Sequence, residues 1–266
     1  MAGNLKVTVW NEFIHEQKPG KPREIYPQGM HAALAAHFSA QPGIKARTAT
    51  LDEPEHGLTE EVLKETDVLF WWGHVGHDKV DDAIVNRVRL EVLAGMGLVV
   101  LHSGHNAKVF KALLGTNCSL KWREADEKEI IHNIAPGHPI TRGIGDTIIL
   151  DHHEMYGERH EIPEPDQVIF ISWFEGGNVF RSGVTFERGL GRIFYFSPGH
   201  ETYPIYHRQD ILKVLTNAAH WAGGRATLAR EESRGQPRRH TENSVNEKVP
   251  LNPIAGAAVE DFLERG

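Results

Sequence analysis

The run Leu98-Val99-Val100-Leu101 constrains this chain most. It is closed by Gly97 on one side and opens on the other into His102-Ser103-Gly104-His105. A short apolar run with β-branched residues between glycines predicts a strand buried on both faces, as in a parallel sheet. The segment that follows, Asn106–Leu114, has helical periodicity. His102 and Ser103 are therefore delivered to the carboxyl end of a central strand, where open α/β sheets keep their ligand sites.

The flanking sequence repeats that rhythm. Leu5–Trp10, Lys45–Thr50 and Asp67–Trp72 read as strands. Gly29–Phe38, a helix opening at Thr59-Glu60-Glu61, and Asp81–Ala94 read as the helices between them. A β-α alternation of this kind predicts a doubly wound, mostly parallel sheet with right-handed crossovers. After residue 115 the pattern changes. Lys121–Arg123, Glu129–Asn133, Ile148–Tyr156, Val168–Phe174 and Val179–Phe186 predict an antiparallel β insertion. Gly176-Gly177 and Glu187-Arg188-Gly189 are its hairpin turns, and Arg192–Phe196 returns to the parallel sheet. Ile211–Trp221 is a closing helix, and from Gly223 the periodicity is lost. The expected organisation is one domain over residues 1–224 and an extended arm over 225–266 that contacts a second copy in a homo-oligomer.

Composition narrows the function classes. A net charge of -7 argues against nucleic acid or an anionic membrane as partner. Cys118 is the single cysteine, so no internal disulfide forms, and neither a signal peptide nor a transmembrane run is visible. A cytoplasmic location is expected. No phosphate-cradling glycine motif occurs, so no nucleotide cofactor is expected.

The chemistry lies in histidine, of which the chain has 17. Three expected strand ends carry it: Trp72-Gly73-His74, Leu101-His102-Ser103 and Phe196-Ser197-Pro198-Gly199-His200-Glu201. A fourth run, Asp151-His152-His153-Glu154-Met155-Tyr156, would place His152, Glu154 and Tyr156 on one strand face. Imidazoles and a carboxylate that converge can hold a divalent metal or move protons near neutral pH. Any one of these histidines, taken alone, reads more readily as a structural hydrogen-bonder than as a ligand. The expected metal ligands are His102, His152, Glu154 and His200, with zinc the first expectation. The expected catalytic groups are His102, Glu154, Tyr156, His200 and Glu201. His77, His105 and His153 lie off the edge, and His15, His31, His37, His207 and His220 read as ordinary. Ser103 lacks the small residues at -2 and +2 of a nucleophile elbow. Trp71, Trp72, Trp173 and Phe174 read as core.

Four stretches resemble the ThuA-like (trehalose utilisation) family: Val9-Trp10-Asn11-Glu12, His102-Ser103-Gly104, His152-His153-Glu154-Met155-Tyr156-Gly157-Glu158, and the run from Tyr195 to Pro204. The resemblance spans residues 5 to 222. It implies a flavodoxin-like fold similar to class I glutamine amidotransferases. There a nucleophilic cysteine occupies the turn taken here by Ser103 or its neighbours, and its absence argues against amidotransferase activity. The resemblance further implies work on trehalose or a related disaccharide, or its keto derivative, with a sugar dehydrogenase as a partner. Two functions follow: a sugar-processing enzyme using metal-assisted acid–base chemistry, or a non-catalytic sugar-binding subunit of a dehydrogenase system.

Overall fold

The structure is a computed structural model that describes residues 4–234, with side chains described to residue 224. Its strands are β1 (Leu5–Asn11), β2 (Ile44–Thr50), β3 (Val68–Trp72), β4 (Gly97–Leu101), β5 (Lys121–Asn133), β6 (Thr147–Gly157), β7 (Gln167–Phe174), β8 (Val179–Arg188) and β9 (Gly191–Phe196). The α-helices are α1 (Lys21–Ile25), α2 (Met30–Ser39), α3 (Glu60–Lys64), α4 (Asp82–Leu93), α5 (Lys108–Leu114) and α6 (Gln209–Arg234).

Every residue of β4 is buried, because it has a parallel neighbour on each side and helices over both faces. Val99 and Leu101 point into one core with Met30, Leu34 and Phe38 of α2 and Ile211, Val214 and Leu215 of α6. Leu98 and Val100 point into the other, with Ile84, Val88 and Val92 of α4 and Val109, Phe110 and Leu113 of α5. This strict alternation makes the run apolar throughout. Gly97 has a packing reason: a Cβ there would lie 2.7 Å from the Ala222 side chain, so α6 can approach the strand only over a glycine. The Thr59 hydroxyl caps α3, accepting the Val62 N–H at 3.3 Å.

The nine strands form one sheet, in the order β2-β1-β3-β4-β9-β8-β7-β5-β6. Parallel pairing joins β2, β1, β3, β4 and β9, as expected, and β9 does return to the parallel half. The expected mostly parallel sheet needs correction, since β8, β7, β5 and β6 continue the same sheet in antiparallel pairing. The insertion thus widens the sheet. Lys121–Arg123 and Glu129–Asn133 are also one strand, β5, because the residues between them are absorbed in register shifts against β6. Finally, α6 runs beyond the expected Trp221 to Arg234, so the supposed boundary at 224 falls within a helix. The rest of the predicted arm, with its oligomer contact, lies outside the described residues. Among those described, no helix is long and apolar enough to cross a membrane.

Candidate active site

The sheet order brings the carboxyl ends of β1, β3, β4 and β9 to one edge, and β6 reaches it from the antiparallel half. Directly after β4 the chain turns through a 3-10 segment, His102–Asn106, before α5. The strained residue of that strand-to-helix turn is His102, with φ of 48°, a conformation costly for any residue with a Cβ. The turn therefore presents an imidazole where a nucleophile elbow would present its nucleophile. Ser103 beside it donates its hydroxyl proton to the Gly73 carbonyl at 2.9 Å, and Cys118 is buried elsewhere among apolar neighbours.

His102 is fully buried and its protonation is legible. Nδ1 lies 2.7 Å from the Ser197 carbonyl, which can only accept, so the ring proton sits on Nδ1 and Nε2 keeps its lone pair. The Tyr156 hydroxyl lies 3.2 Å from that Nε2, and Glu154 Oε2 lies 3.0 Å from it. The His200 Nε2 stands 4.0 Å from the same carboxylate oxygen. Burial, reinforced by His153, pushes the His102 pKa well below the usual histidine range. Burial also raises Glu154 above the usual carboxylate range, against the pull of His200, His153 and His74. Tyr156 is driven up by burial and by the Glu154 charge, so it stays a phenol.

Four of the expected residues, His102, Glu154, Tyr156 and His200, are brought together. His152 is not. Two residues of β6, Asp151 and His152, face the single Lys128 of β5, between the pairs Leu150↔Glu129 and His153↔Glu127. This bulge shifts the alternation by one residue and turns His153 inward. His152 is left exposed beside Asp126, at 3.2 Å. His153 lies 2.7 Å from Glu129 through Nδ1, and its Nε2 accepts the N–H of Gly199 at 3.2 Å. It thereby holds the loop that carries His200.

Glu201 sits one step outside the cluster. Its Oε1 is 3.1 Å from Nδ1 of both His74 and His15, whose rings stack at 5.1 Å. Burial pushes Glu201 up, but its hydrogen bond to His74 and the charges of His200 and His74 prevail and bring it to about 2. Burial likewise pulls His74 down, and Glu201, Glu154 and Glu12 outweigh it to raise the net value. His15, expected to be ordinary, and His74, a strand-end histidine given no expected role, thus belong to the site. So does Glu12, whose carboxylate accepts the backbone N–H groups of His74, Val75 and Gly76 at 2.7, 3.0 and 2.7 Å. The sequence signal was the polar ending of β1, Asn11-Glu12, at the same edge as the other strand ends. Above the cluster lies a pocket of about 400 Å³ whose lining includes His74, His105, Glu124, Glu154 and Tyr156. Trp71, Trp72 and Phe174 are buried core, as expected, but Trp173, also expected in the core, is 38% exposed because it alternates to the outer face of β7.

Gly199 shapes the loop over the cluster. It has φ of 147°, and a Cβ there would collide with the Tyr206 hydroxyl. Gly199→Ala is expected to cost about 3 kcal/mol in urea unfolding, and an unchanged midpoint would refute this.

Fold and site together define a class: a doubly wound α/β domain with a mixed sheet and a buried His/Glu cluster at the carboxyl edge of its parallel strands. The chain belongs to the trehalose utilisation family, ThuA, whose family model matches residues 6–222. Two solved structures described as ThuA-like, from Parabacteroides merdae and Bacteroides uniformis, each superpose with a TM-score of 0.61. They are 14% and 15% identical, covering 83% of this chain and 90% and 91% of theirs. A structure described as a cytoplasmic protein, from Salmonella typhimurium, gives 0.57 at 15% identity, covering 82% of this chain and 99% of its own. At these identities the likeness is one of fold. No curated protein sequence matches the chain.

Proposed function

We propose that this protein is a cytoplasmic enzyme that acts on a disaccharide of the trehalose class, or its keto derivative, at the His102–Glu154–His200 cluster. One observation carries the chemistry. Glu154 Oε2 is buried, receives no hydrogen-bond donor among the described residues, and lies 3.0 Å from the unprotonated Nε2 of His102, which accepts the Tyr156 hydroxyl at 3.2 Å. Two electron-rich atoms this close call for a positive centre: a proton on Glu154 or a divalent cation.

The donor set fits a cation. The relevant atoms of His102, Glu154 and His200 all lie within 4.8 Å of one another and are buried. Two imidazoles and one carboxylate are a donor set zinc takes in catalytic sites. His102 offers Nε2 directly. His200 must shift its proton, because Nδ1 accepts the Thr202 N–H at 3.2 Å, which leaves the proton on Nε2 facing Glu124 at 3.3 Å. The Thr202 hydroxyl, 2.8 Å from Nδ1, can accept that proton after the shift. When bound, such an ion polarises a sugar carbonyl or hydroxyl oxygen.

Glu154 cannot be a ligand and a free base at once. His74, oriented by Glu201 through Nδ1 and with no partner at Nε2 among the described residues, is the group that can take up a proton when Glu154 is a ligand. The Tyr156 phenol can donate a hydrogen bond to a substrate oxygen. A keto sugar would come from a sugar dehydrogenase, the partner this reading implies.

Elemental mass spectrometry of untagged protein is expected to find about one equivalent of zinc, manganese or nickel, absent from His102→Ala and Glu154→Gln. Wild-type protein without metal would leave the proton on Glu154 as the positive centre and remove metal-assisted chemistry.

A further inference from the structure

The wall of the pocket changes character from floor to mouth. Ser103, Glu154 and Tyr156 at the floor are each 4% exposed, whereas Trp122 and Val75, which line the same pocket, are 64% and 56% exposed. Exposed large apolar residues scattered singly need no explanation, but two from separate elements on one polar pocket do. Trp122 stands on β5 directly opposite Tyr156 of β6, so both side chains belong to one face of the sheet. This end of β5 is an overhang: β7 pairs with it only from Glu129 onward, and among the described residues no strand covers the Trp122 side. Val75 comes from the loop after β3, which the Glu12 carboxylate holds.

The remaining rim is polar and includes Asn106 and the exposed Glu124, whose Oε1 lies 3.3 Å from the His200 ring. Among the described residues no lysine or arginine lines this pocket, while two glutamates do, so a phosphorylated or carboxylated ligand is disfavoured. A flat apolar face bordered by amide and carboxylate acceptors suits a neutral ring with a C–H face and a hydroxyl edge. At about 400 Å³ the space is near the lower end for small-molecule sites, roughly 300–1,000 Å³, which suits a molecule of one or two rings and excludes a polymer.

We infer that Trp122, with Val75, Glu124 and Asn106, forms an outer sugar-ring subsite, so that a disaccharide places one ring over the His102–Glu154–His200 cluster and stacks the other on the Trp122 indole. This rests on the reading of the pocket as a sugar site and adds to it a preference for two rings over one.

Titration calorimetry on the full chain, with trehalose and with glucose as probes, tests it. Wild type is expected to bind trehalose at least about tenfold more tightly than glucose. Trp122→Ala is expected to weaken trehalose about tenfold and to leave glucose nearly unchanged. Trp122→Phe should keep most of the trehalose affinity, and Trp173→Ala, an exposed tryptophan away from the pocket, should keep all of it. Circular dichroism checks that the variants fold, as expected for an exposed side chain. Trehalose affinity unchanged in Trp122→Ala, or both sugars weakened equally, overturns the subsite while the sugar site stands. If wild type binds neither sugar, the sugar site falls and the subsite with it.

Discussion

Acidification from pH 6.5 towards 4 is expected to remove this protein's stability steeply, well above the pH at which ordinary surface carboxylates protonate. Burial is the first cause at each group concerned. It lowers His77, His105 and His200 to about 4 and His160 to about 3, and takes His102 well down. Neither ring nitrogen of His160 has a hydrogen-bond partner among the described residues, and Phe180 and Tyr195 pack against the ring. These histidines fold neutral. Below pH 6.5 the unfolded chain binds their protons first, so stability falls as pH falls, until the folded values near 4 are passed. Each contributes a slope of about 1.4 kcal/mol per pH unit, and together they reach roughly 5 kcal/mol per unit or more. Glu201, held at about 2, acts in the same direction below its unfolded range. Glu154 opposes it, since its raised carboxyl favours the folded state as it protonates, whereas the gain from the raised His74 is already complete by about pH 6.5, and one group does not cancel five. Against a total stability of about 5–15 kcal/mol, the loss should unfold the protein before pH 4. Urea midpoints at pH 7.5, 6.5, 5.5 and 5.0 measure this, and a flat series would show that these rings are hydrated or paired.

Replacing Glu12 should cost nearly as much, although it lies outside the cluster. Its carboxylate, 1% exposed, fills a cradle of three successive backbone N–H groups, an arrangement that favours an anion. Gly76 is part of that cradle: a Cβ there would stand 3.0 Å from Glu12 Oε2 and 2.9 Å from Ile14. Glu12→Ala leaves donors of a largely buried loop without their acceptor. Charge-assisted bonds of this kind put the loss at about 3 kcal/mol or more, a fall in Tm of about 10 °C. Glu12→Gln can keep its oxygen at the position that accepts the His74 and Gly76 N–H groups but then points its amide NH2 at the Val75 N–H, so an intermediate loss is expected. A Tm for Glu12→Ala within about 2 °C of wild type would mean that water replaces the carboxylate and that the loop is self-supporting. Because the same loop carries His74, the alanine variant should also lose the His74–Glu201 hydrogen bond, visible as a shifted His74 ring resonance.

What the sequence alone determined is whatever local pattern controls. The all-apolar run 97–101 had to be a doubly covered strand. The β-α rhythm before it, with the return of the late strand, puts the strand ends that carry His102 and His200 on one edge. Even the closing strand, Ile193–Phe196, was legible as a return to the parallel half. The tertiary structure decided what depends on partners. A strand's two-residue alternation survives only until its neighbour slips in register, so the bulge opposite Lys128 exchanged His152 for His153. Spacing along β5 could not show that Lys121–Asn133 is one strand with an uncovered end, which is what exposes Trp122. Nor could it show that His15 and His74, distant in sequence, meet across Glu201. Those contacts arise because β1, β3 and β9 open onto one edge of the sheet, and side chains from different strands meet there only once the strand order is set.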